Sequence, residues 1–499
     1  MSEPAPRILL LRFSGEIATK AKPTRRRFEA RLVRNVRDAL RGAGVDAAVT
    51  RTRSRIFVAS GDPRAADAVA RVFGVQSLSV ATVHPAEKLD DVVHAAYECF
   101  RDAVAGKRFA VRARRVGDRS RIGIEPRQIE RALGARLLPH SAGVHLDAPE
   151  VVAGVELHEG NAYLCSDERR GPAGLPLGVE GGAVALLSGG YDSAVAAWQM
   201  MRRGVHLDYV FCNLGGRTHE LGVLRVAQVL GARWSYGDRP HLHAVDFDAV
   251  AADIRAKAKT RWWQILLKRQ MLRAAEALAS ERQAEAIVTG DAIGQVSSQT
   301  LSNLAVISQA ATLPILRPLI GANKDDIIRL AEHVGTARVS AVVDEYCAMV
   351  PSHPATTSRA DAIAAEEARL DASLLAQAIA ARRVFDLRHL DPDAHGVPEL
   401  EVDAIPDDAT VIDLRSRTAF AGWHWPGALQ LDFDRALAAY RSFAKDRRYV
   451  LYCEFGLKSA HLAERMRAEG FDASNFRGAL RGVVALAKSR RLAAPEAIE

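Results

Sequence analysis

The chain has 499 residues, 48% hydrophobic and 26% charged, with a net charge of +8; that length predicts roughly three or four domains rather than one core. No apolar run approaches the roughly 18 residues of a membrane span, and Ile8-Leu9-Leu10-Leu11 is too short for a signal-peptide core, so a cytoplasmic protein without membrane contact is expected. Five cysteines (Cys99, Cys165, Cys212, Cys347, Cys453) lack C-x-x-C or Cys/His metal spacing, which argues against a disulfide framework, a structural zinc site or an iron–sulfur cluster.

Residues 6–13 read as a strand. A helix opens at Pro23-Thr24-Arg25-Arg26-Arg27-Phe28, where Phe28, Leu32 and Val36 recur at four-residue spacing and Arg31, Arg34 and Arg37 lie mostly off that stripe. The strand Arg55-Ile56-Phe57-Val58-Ala59 closes a small α+β domain over 1–60. That domain holds 14 Lys/Arg against 5 Asp/Glu, so its net charge is +9 and the rest of the chain sums to −1. A basic end on a near-neutral body favours a polyanionic partner; for Arg25-Arg26-Arg27 alone, a solvated helix face is the competing reading. A second domain, 61–168, reads as helices near 62–74, 86–105 and 126–137, with strands near 150–158 and 161–165. Its segment Lys107 to Arg115 alternates in part, as a strand with a basic face would. Arg170-Gly171-Pro172-Ala173-Gly174-Leu175-Pro176-Leu177-Gly178 reads as a linker.

From 182 onward strands and helices alternate. Strands are expected near 183–187, 208–212, 242–247 and 285–289, with helices near 194–203 and 219–231 and a longer helical region before the last strand. This rhythm predicts a parallel sheet with helices on both faces over 169–385. Residues 360–383 read as one connecting helix, and a last α/β unit occupies 400–495.

Two loops carry chemistry. Ser188-Gly189-Gly190-Tyr191-Asp192-Ser193 follows an apolar strand and precedes a helix. Its glycines let backbone N–H groups approach phosphate oxygens, and the helix start adds a favourable dipole. The S-G-G-x-D-S pattern is the signature of PP-loop ATP pyrophosphatases, which cleave between the α and β phosphates; Asp192 is the natural ligand for Mg²⁺. Lys268 reads either as a phosphate contact or as a surface helix lysine. The polar loop Gly290 to Thr300 follows another buried strand. The second loop, Cys453-Glu454-Phe455-Gly456-Leu457-Lys458-Ser459, joins a strand to a helix start that would stabilise a thiolate, the arrangement of a rhodanese persulfide loop. Val411 to Arg415 and Gly422 to Ala428 resemble that family's early strand and its G-H-x-x-G-A segment. A dual-specificity phosphatase loop is disfavoured because Lys458 and Ser459 stand where a closing Arg belongs. With such a carrier present, Cys347 gains a role, by attacking the carrier sulfur to release sulfide or by resolving the product of direct persulfide attack.

Taken together, the chain resembles the tRNA 4-thiouridine synthetase family, also called tRNA sulfurtransferases. The resemblance rests on Lys22 to Phe28, Phe109 to Arg115, Gly174 to Gly178, Ser188 to Ser193, Asn213 to Gly216, Gly290 to Thr300, Leu316 to Leu319, Glu345-Tyr346-Cys347 and Cys453. It implies a multidomain α/β and α+β protein with N-terminal ferredoxin-like and THUMP domains, a PP-loop Rossmann-like domain and a C-terminal rhodanese domain. It implies ATP contacts at Leu186, Leu187, Phe211, Cys212, Lys268, Gly290 and Gln299, beside the loop residues Ser188, Gly189, Gly190 and Ser193. It also implies adenylation roles for Asp192 and Lys324, and tRNA contacts from the basic N-terminal motifs: Lys22, Arg25, Arg26, Arg27, Arg112, Arg114 and Arg115. The implied partners are tRNA, an IscS-type cysteine desulfurase that loads Cys453 and a thiamine sulfur-carrier protein, with room for a homodimer. The implied reaction uses ATP and Mg²⁺ to adenylate uridine 8 and replaces AMP with sulfur. A relay serving mainly thiamine synthesis is the alternative.

Overall fold

The computed structural model describes residues 7–52, 55–116, 123–165, 168–341, 343, 354–395, 400–454 and 456–492. The stripe at Phe28, Leu32 and Val36 is buried along helix α1 (Lys22–Gly42), extended by Ala39 and Leu40. These side chains pack on strands β1 (Arg7–Phe13), β2 (Ala48–Arg51) and β3 (Arg55–Ala59). Four residues span just over one helical turn, so one face collects the apolar side chains.

The chain divides into two units, the first comprising 1–181 with 201–206 and 233–238. Its strands form one nine-stranded sheet, completed by β4 (Val75–Pro85), β5 (Arg108–Val116), β6 (Gly143–Val144), β7 (Val151–His158), β8 (Asn161–Cys165) and β9 (Arg169–Arg170). The order is β2-β3-β1-β4-β8-β7-β5-β6, with β9 also on β4. The long β4 is the shared spine: Val75 to Thr82 pair with β1, whereas Thr82 to Pro85 pair with β8. Helices α2 (Leu89–Phe100) and α3 (Pro126–Leu137) cover the β5–β7–β8 part through Val92, Phe100, Ile129 and Leu133.

Where the two sets of strands meet, Glu156 is only 1% exposed and takes charge-assisted hydrogen bonds from Arg55 at 2.5 Å, Arg114 at 2.6 Å and Arg12 at 3.4 Å. Burial alone would raise its carboxyl, but Arg55, Arg114 and Arg12 outweigh that and hold it below the usual range.

Two expectations are corrected in this half. The helix expected at 62–74 is confined to Arg64–Val69, because the chain then turns into β4. The segment 170–178 is no tether. Leu175 and Leu177 are buried, Arg31 and Asn35 donate to the Leu177 carbonyl at 2.7 and 3.1 Å, and Leu175 N–H donates to the Arg202 carbonyl at 2.9 Å. Gly174 has φ +70°, and a Cβ there would collide with the Arg202 carbonyl, so its glycine serves close packing rather than mobility.

The second unit holds two sheets. One has six strands: β10 (Gly182–Leu186), β11 (His206–Asn213), β12 (His241–Asp246), β13 (Ala286–Val288), β14 (Ile315–Leu316) and β15 (Arg383–Asp386), in the order β14-β13-β10-β11-β12-β15. The pairs β10–β13, β13–β14 and β11–β12 are parallel. Helices α4 (Tyr191–Arg202), α5 (Gly216–Trp234), α6 (Asp248–Lys257) and α7 (Trp263–Arg282) connect them, followed by α8 (Lys324–Val334). The helix expected over 360–383 is instead α9 (Ala360–Glu367) and α10 (Ala372–Ala380), followed by β15. Asp371 caps α10 by accepting the Ser373 N–H, which separates the helices, and β15 pairs antiparallel with the edge of β12.

The other sheet consists of β16 (Glu401–Val402), β17 (Thr410–Asp413), β18 (Leu429–Gln430), β19 (Arg448–Tyr452) and β20 (Asp472–Phe476), all parallel and ordered β16-β20-β19-β17-β18. Ile412 and Leu451 enter one core and Val411 and Val450 the other, so both faces are covered, among others by α11 (Leu457–Ala468) and α12 (Ala479–Ser489). Among the described residues no helix is long and apolar enough to cross a membrane.

Glu156→Ala leaves Arg12, Arg55 and Arg114 without the buried counter-charge they share. We expect a loss of about 3–5 kcal/mol, read as a lower urea midpoint for the N-terminal unit; an unchanged midpoint would refute the node.

Candidate active site: a nucleotide cavity and a cysteine loop

β10 ends at Leu186 and α4 begins at Tyr191, leaving Leu187 to Gly190 as the turn between them. Gly189 sits at φ +86°, and a Cβ there would lie 2.7 Å from Val343 and 3.0 Å from Val223. Both facts restrict that position to glycine. The loop is braced from within: Ser188 N–H donates to Ser193 Oγ at 3.2 Å, and the two hydroxyls are 3.1 Å apart. After the adjacent strand β13, the Gly290 backbone comes so close that a Cβ would stand 2.7 Å from Ser193 N.

These loops open into a cavity of about 320 Å³. Leu186, Leu187, Ser188, Asp192, Ser193, Phe211, Cys212, Lys268, Gly290 and Gln299 all line it, while Gly189 and Gly190 build the turn without lining it. Val210, Leu214, Leu267, Met271, Leu272 and Ile307 make much of the wall apolar, and the phosphate-loop residues, Lys268 and Gln299 supply the polar part. Lys324 arrives from the start of α8 and pairs with Asp192 at 2.9 Å. An apolar slot for a base beside N–H groups and a lysine suits a nucleotide.

Asp291 is a cavity residue that sequence reasoning missed, although it lies inside the polar loop singled out there. Its carboxylate accepts from Lys268 at 2.9 Å, Thr289 at 2.8 Å, Gln299 at 3.3 Å and Arg317 at 3.3 Å. Burial would raise this acid, yet Lys268, Thr289 and Arg317 prevail and bring it down to about 2. Lys268 is therefore neither a free surface lysine nor a lone phosphate contact; an anionic partner in the cavity would share it with Asp291. His219, also missed, lines the cavity edge-on to Phe211 with ring centroids 5.0 Å apart. Burial lowers it to about 4, so it is neutral at pH 7. Burial also pushes the Cys212 thiol up.

In the smaller sheet, Cys453 follows β19 and is buried, and Gly456 at φ +89° turns the chain into α11. Gly456 N–H donates to the Cys453 sulfur at 3.1 Å, and the Ser459 hydroxyl lies 3.3 Å from it. The same hydroxyl reaches Asn475 Oδ1 at 2.7 Å. A hydroxyl has one hydrogen, so Cys453 sulfur, Asn475 Oδ1 and the Gly456 carbonyl at 3.2 Å compete for it. The segments singled out around this loop do converge: Arg415 is held in a two-pronged pair by Asp413 and donates to the Trp423 carbonyl at 2.6 Å, and Trp425 N–H donates to Tyr452 Oη at 3.1 Å. Cys347 lies outside the described residues.

The basic candidates of the N-terminal unit separate into two kinds. Lys22 and Arg26 are exposed on the first turns of α1, as is Arg27, which also donates to the Val179 carbonyl at 3.4 Å. Arg25 pairs with Glu29 at 2.7 Å, Arg114 with Glu156, and Arg115 with Glu125 at 2.6 Å, while Arg112 donates to the Leu146 carbonyl. Ion pairing offsets the charge that Arg25, Arg114 and Arg115 offer to solvent, whereas the carbonyl contact leaves the exposed Arg112 its full charge.

Asp291→Asn leaves Lys268 and Arg317 without their counter-charge, and a loss of about 1–3 kcal/mol is expected. With the unfolded acid near 3.9 and the folded one at about 2, the stabilisation is complete above the unfolded value and disappears as pH falls through the folded one. The stability gap between parent and variant should therefore be flat above about pH 5 and narrow below about pH 4, which chemical denaturation across that range checks.

Comparison with known proteins agrees with this geometry. Residues 8–79 match the ThiI ferredoxin-like domain, 86–167 the THUMP domain, 178–372 the family described as thiamine biosynthesis protein (ThiI), and 399–486 the rhodanese-like domain. A tRNA sulfurtransferase of Pyrobaculum aerophilum is 36% identical over 470 residues, covering 93% of this chain and 95% of that protein. One from Marinobacter nauticus is 35% identical over 475 residues, covering 93% and 97%. Among solved structures, a 4-thiouridine synthetase in complex with RNA and bound ATP superposes with a TM-score of 0.66 at 30% identity, over 76% of this chain and 99% of that one. The PH1313 protein of Pyrococcus horikoshii gives 0.53 at 25% identity, over 66% and 99%. With a phosphate loop, a cysteine loop and full-length relatives in agreement, the chain belongs to the tRNA sulfurtransferase family.

Proposed function

We propose that the chain moves sulfur from a persulfide on Cys453 to uridine 8 of tRNA, giving 4-thiouridine, after ATP has adenylated the uridine O4. The observation that carries this reading is the presence, in one unit, of a braced phosphate loop over a nucleotide-sized cavity and a buried cysteine faced by the Gly456 N–H and the Ser459 hydroxyl. The RNA and ATP held by the similar 4-thiouridine synthetase support it.

ATP places its base against Phe211, Leu214 and Met271 and its phosphates against Ser188, Ser193 and the start of α4. Uridine O4 attacks the α-phosphorus, pyrophosphate leaves, and Lys268 and Lys324 offset the charge that develops on the phosphates. One carboxylate beside two hydroxyls fits a Mg²⁺ ion held by Asp192 and the phosphates, the usual protein share for that cation; when bound it would act as a Lewis acid. Lys324 would then turn from Asp192 to a phosphate.

The terminal sulfur on Cys453, loaded by a cysteine desulfurase, displaces AMP from C4. Cys347 thiolate then attacks Cys453 Sγ and releases the thiolated base; alternatively, the same attack first frees hydrosulfide, which itself displaces AMP. Either order balances as one sulfur transferred and one Cys347–Cys453 disulfide formed, which a dithiol reductant resets. The exposed Lys22, Arg26 and Arg27 are proposed to hold tRNA phosphates. A thiamine sulfur-carrier protein would draw on the same persulfide without using the nucleotide cavity.

The test combines the protein with Mg-ATP, unmodified tRNA, cysteine and a desulfurase, following both labelled pyrophosphate and 4-thiouridine absorbance. Lys324→Ala is expected to slow pyrophosphate release by about 10²–10³-fold. Cys453→Ser should keep that release and make no 4-thiouridine; product at the parent's rate would remove Cys453 from the mechanism.

A further inference from the structure

Helix α11 leaves the cysteine loop and runs directly onto the nucleotide-binding sheet. Three of its side chains reach two consecutive helix starts there. The Glu464 carboxylate accepts the Arg217 N–H at 2.9 Å, in the first turn of α5. Arg465 pairs at 2.5 Å with Asp248, the first residue of α6. The His461 ring bonds to the backbone at Gly215. Gly216 is part of the fit, since a Cβ there would lie 2.6 Å from Glu464 Oε2 and 2.8 Å from His461 Nδ1.

Three observations make this more than incidental packing. A carboxylate at the start of a 19-residue helix meets unsatisfied N–H groups and the positive end of the dipole. The Arg465–Asp248 pair adds a second, independent attachment of opposite polarity. The joint also abuts the nucleotide cavity: a Cβ on Gly215, next to the Gly216 that His461 approaches, would lie 2.7 Å from His219 Cβ, and His219 lines that cavity against Phe211. His461 and His219 are both brought down to about 4, chiefly by burial, so neither ring carries charge into the joint at pH 7. At 1.5 Å per residue, His461 stands only about 6 Å along the axis from the first residue of α11, just past the cysteine loop.

We propose that α11 is a docking helix that seats the cysteine loop on the carboxyl edge of the nucleotide-binding sheet, with Glu464, Arg465 and His461 as positioning residues for Cys453. The inference rests on Cys453 being the sulfur carrier. It assigns to these residues no part in loading the sulfur or in activating the uridine; they act only on the step that joins the two.

The experiment uses the full chain with Glu464→Arg, Arg465→Asp, Asp248→Arg and the swapped pair Asp248→Arg/Arg465→Asp. Hydrogen exchange reads docking without any chemistry: the Arg217 amide should be slow in the parent and fast in Glu464→Arg. Transfer of sulfane sulfur from thiosulfate to cyanide, which releases sulfite and forms thiocyanate at Cys453, and tRNA-dependent pyrophosphate release should both stay near parental rates. Formation of 4-thiouridine should fall by about tenfold to a hundredfold in each single variant and recover in the swapped pair. Unchanged exchange at Arg217, or parental thiolation in both Glu464→Arg and Arg465→Asp, would overturn the docking role. A parent that docks by exchange yet never delivers sulfur from a loaded Cys453 would instead overturn the carrier reading.

Discussion

Parallel strands end side by side, so whatever follows each of them must begin at the same edge. In this chain β10 leads into Ser188 to Gly190, β11 into Asn213 to Gly216, β12 into the start of α6, and β13 into Gly290 and Asp291. Backbone N–H groups and helix starts thereby gather in one place without any residue being recruited singly. The second parallel sheet repeats the rule, and its β19 ends at Cys453. Close approach is the cost of this convergence, and glycine at 189 and 290 is what permits it.

Buried carboxylates set the charge around this framework. Glu156 ties Arg12, Arg55 and Arg114 across one sheet, Asp291 ties Lys268 and Arg317 at the cavity, and Asp413 ties Arg415 beneath the cysteine loop. In each case a buried carboxylate is matched by at least one cation that pairs with it directly. The cavity cations are consequently positioned before any ligand arrives, which lowers the reorganisation an incoming phosphate demands. Cys453 follows the other strategy, with neutral donors from Gly456 and Ser459 facing its sulfur.

Much of this was legible in the residues. The stripe Phe28–Leu32–Val36, the strand–loop–helix around Ser188 and the strand–loop–helix around Cys453 are local patterns, and local patterns survive folding because neighbouring residues decide them. The segment at 170–178 and the helix at 360–383 were misread for the opposite reason. Glycine and proline serve tight packing as well as tethers, and only contact with Arg31 and Arg202 tells the two apart. An Ala-rich stretch has helical propensity throughout, yet its end becomes β15 because β12 presents an open edge there.

The candidate site shows the same division. Sequence by itself determined which local patterns suit phosphate and which suit a reactive sulfur, since a Gly-rich turn after an apolar strand and a cysteine before a helix start need no distant partner. Tertiary structure alone decided that Asp291 fixes Lys268, that His219 lines the nucleotide cavity, and that Glu464, 248 residues downstream of Gly216, meets the α5 start. Those contacts join residues far apart in the chain, and no periodicity or spacing encodes a pairing that only the packing of complete sheets and helices creates.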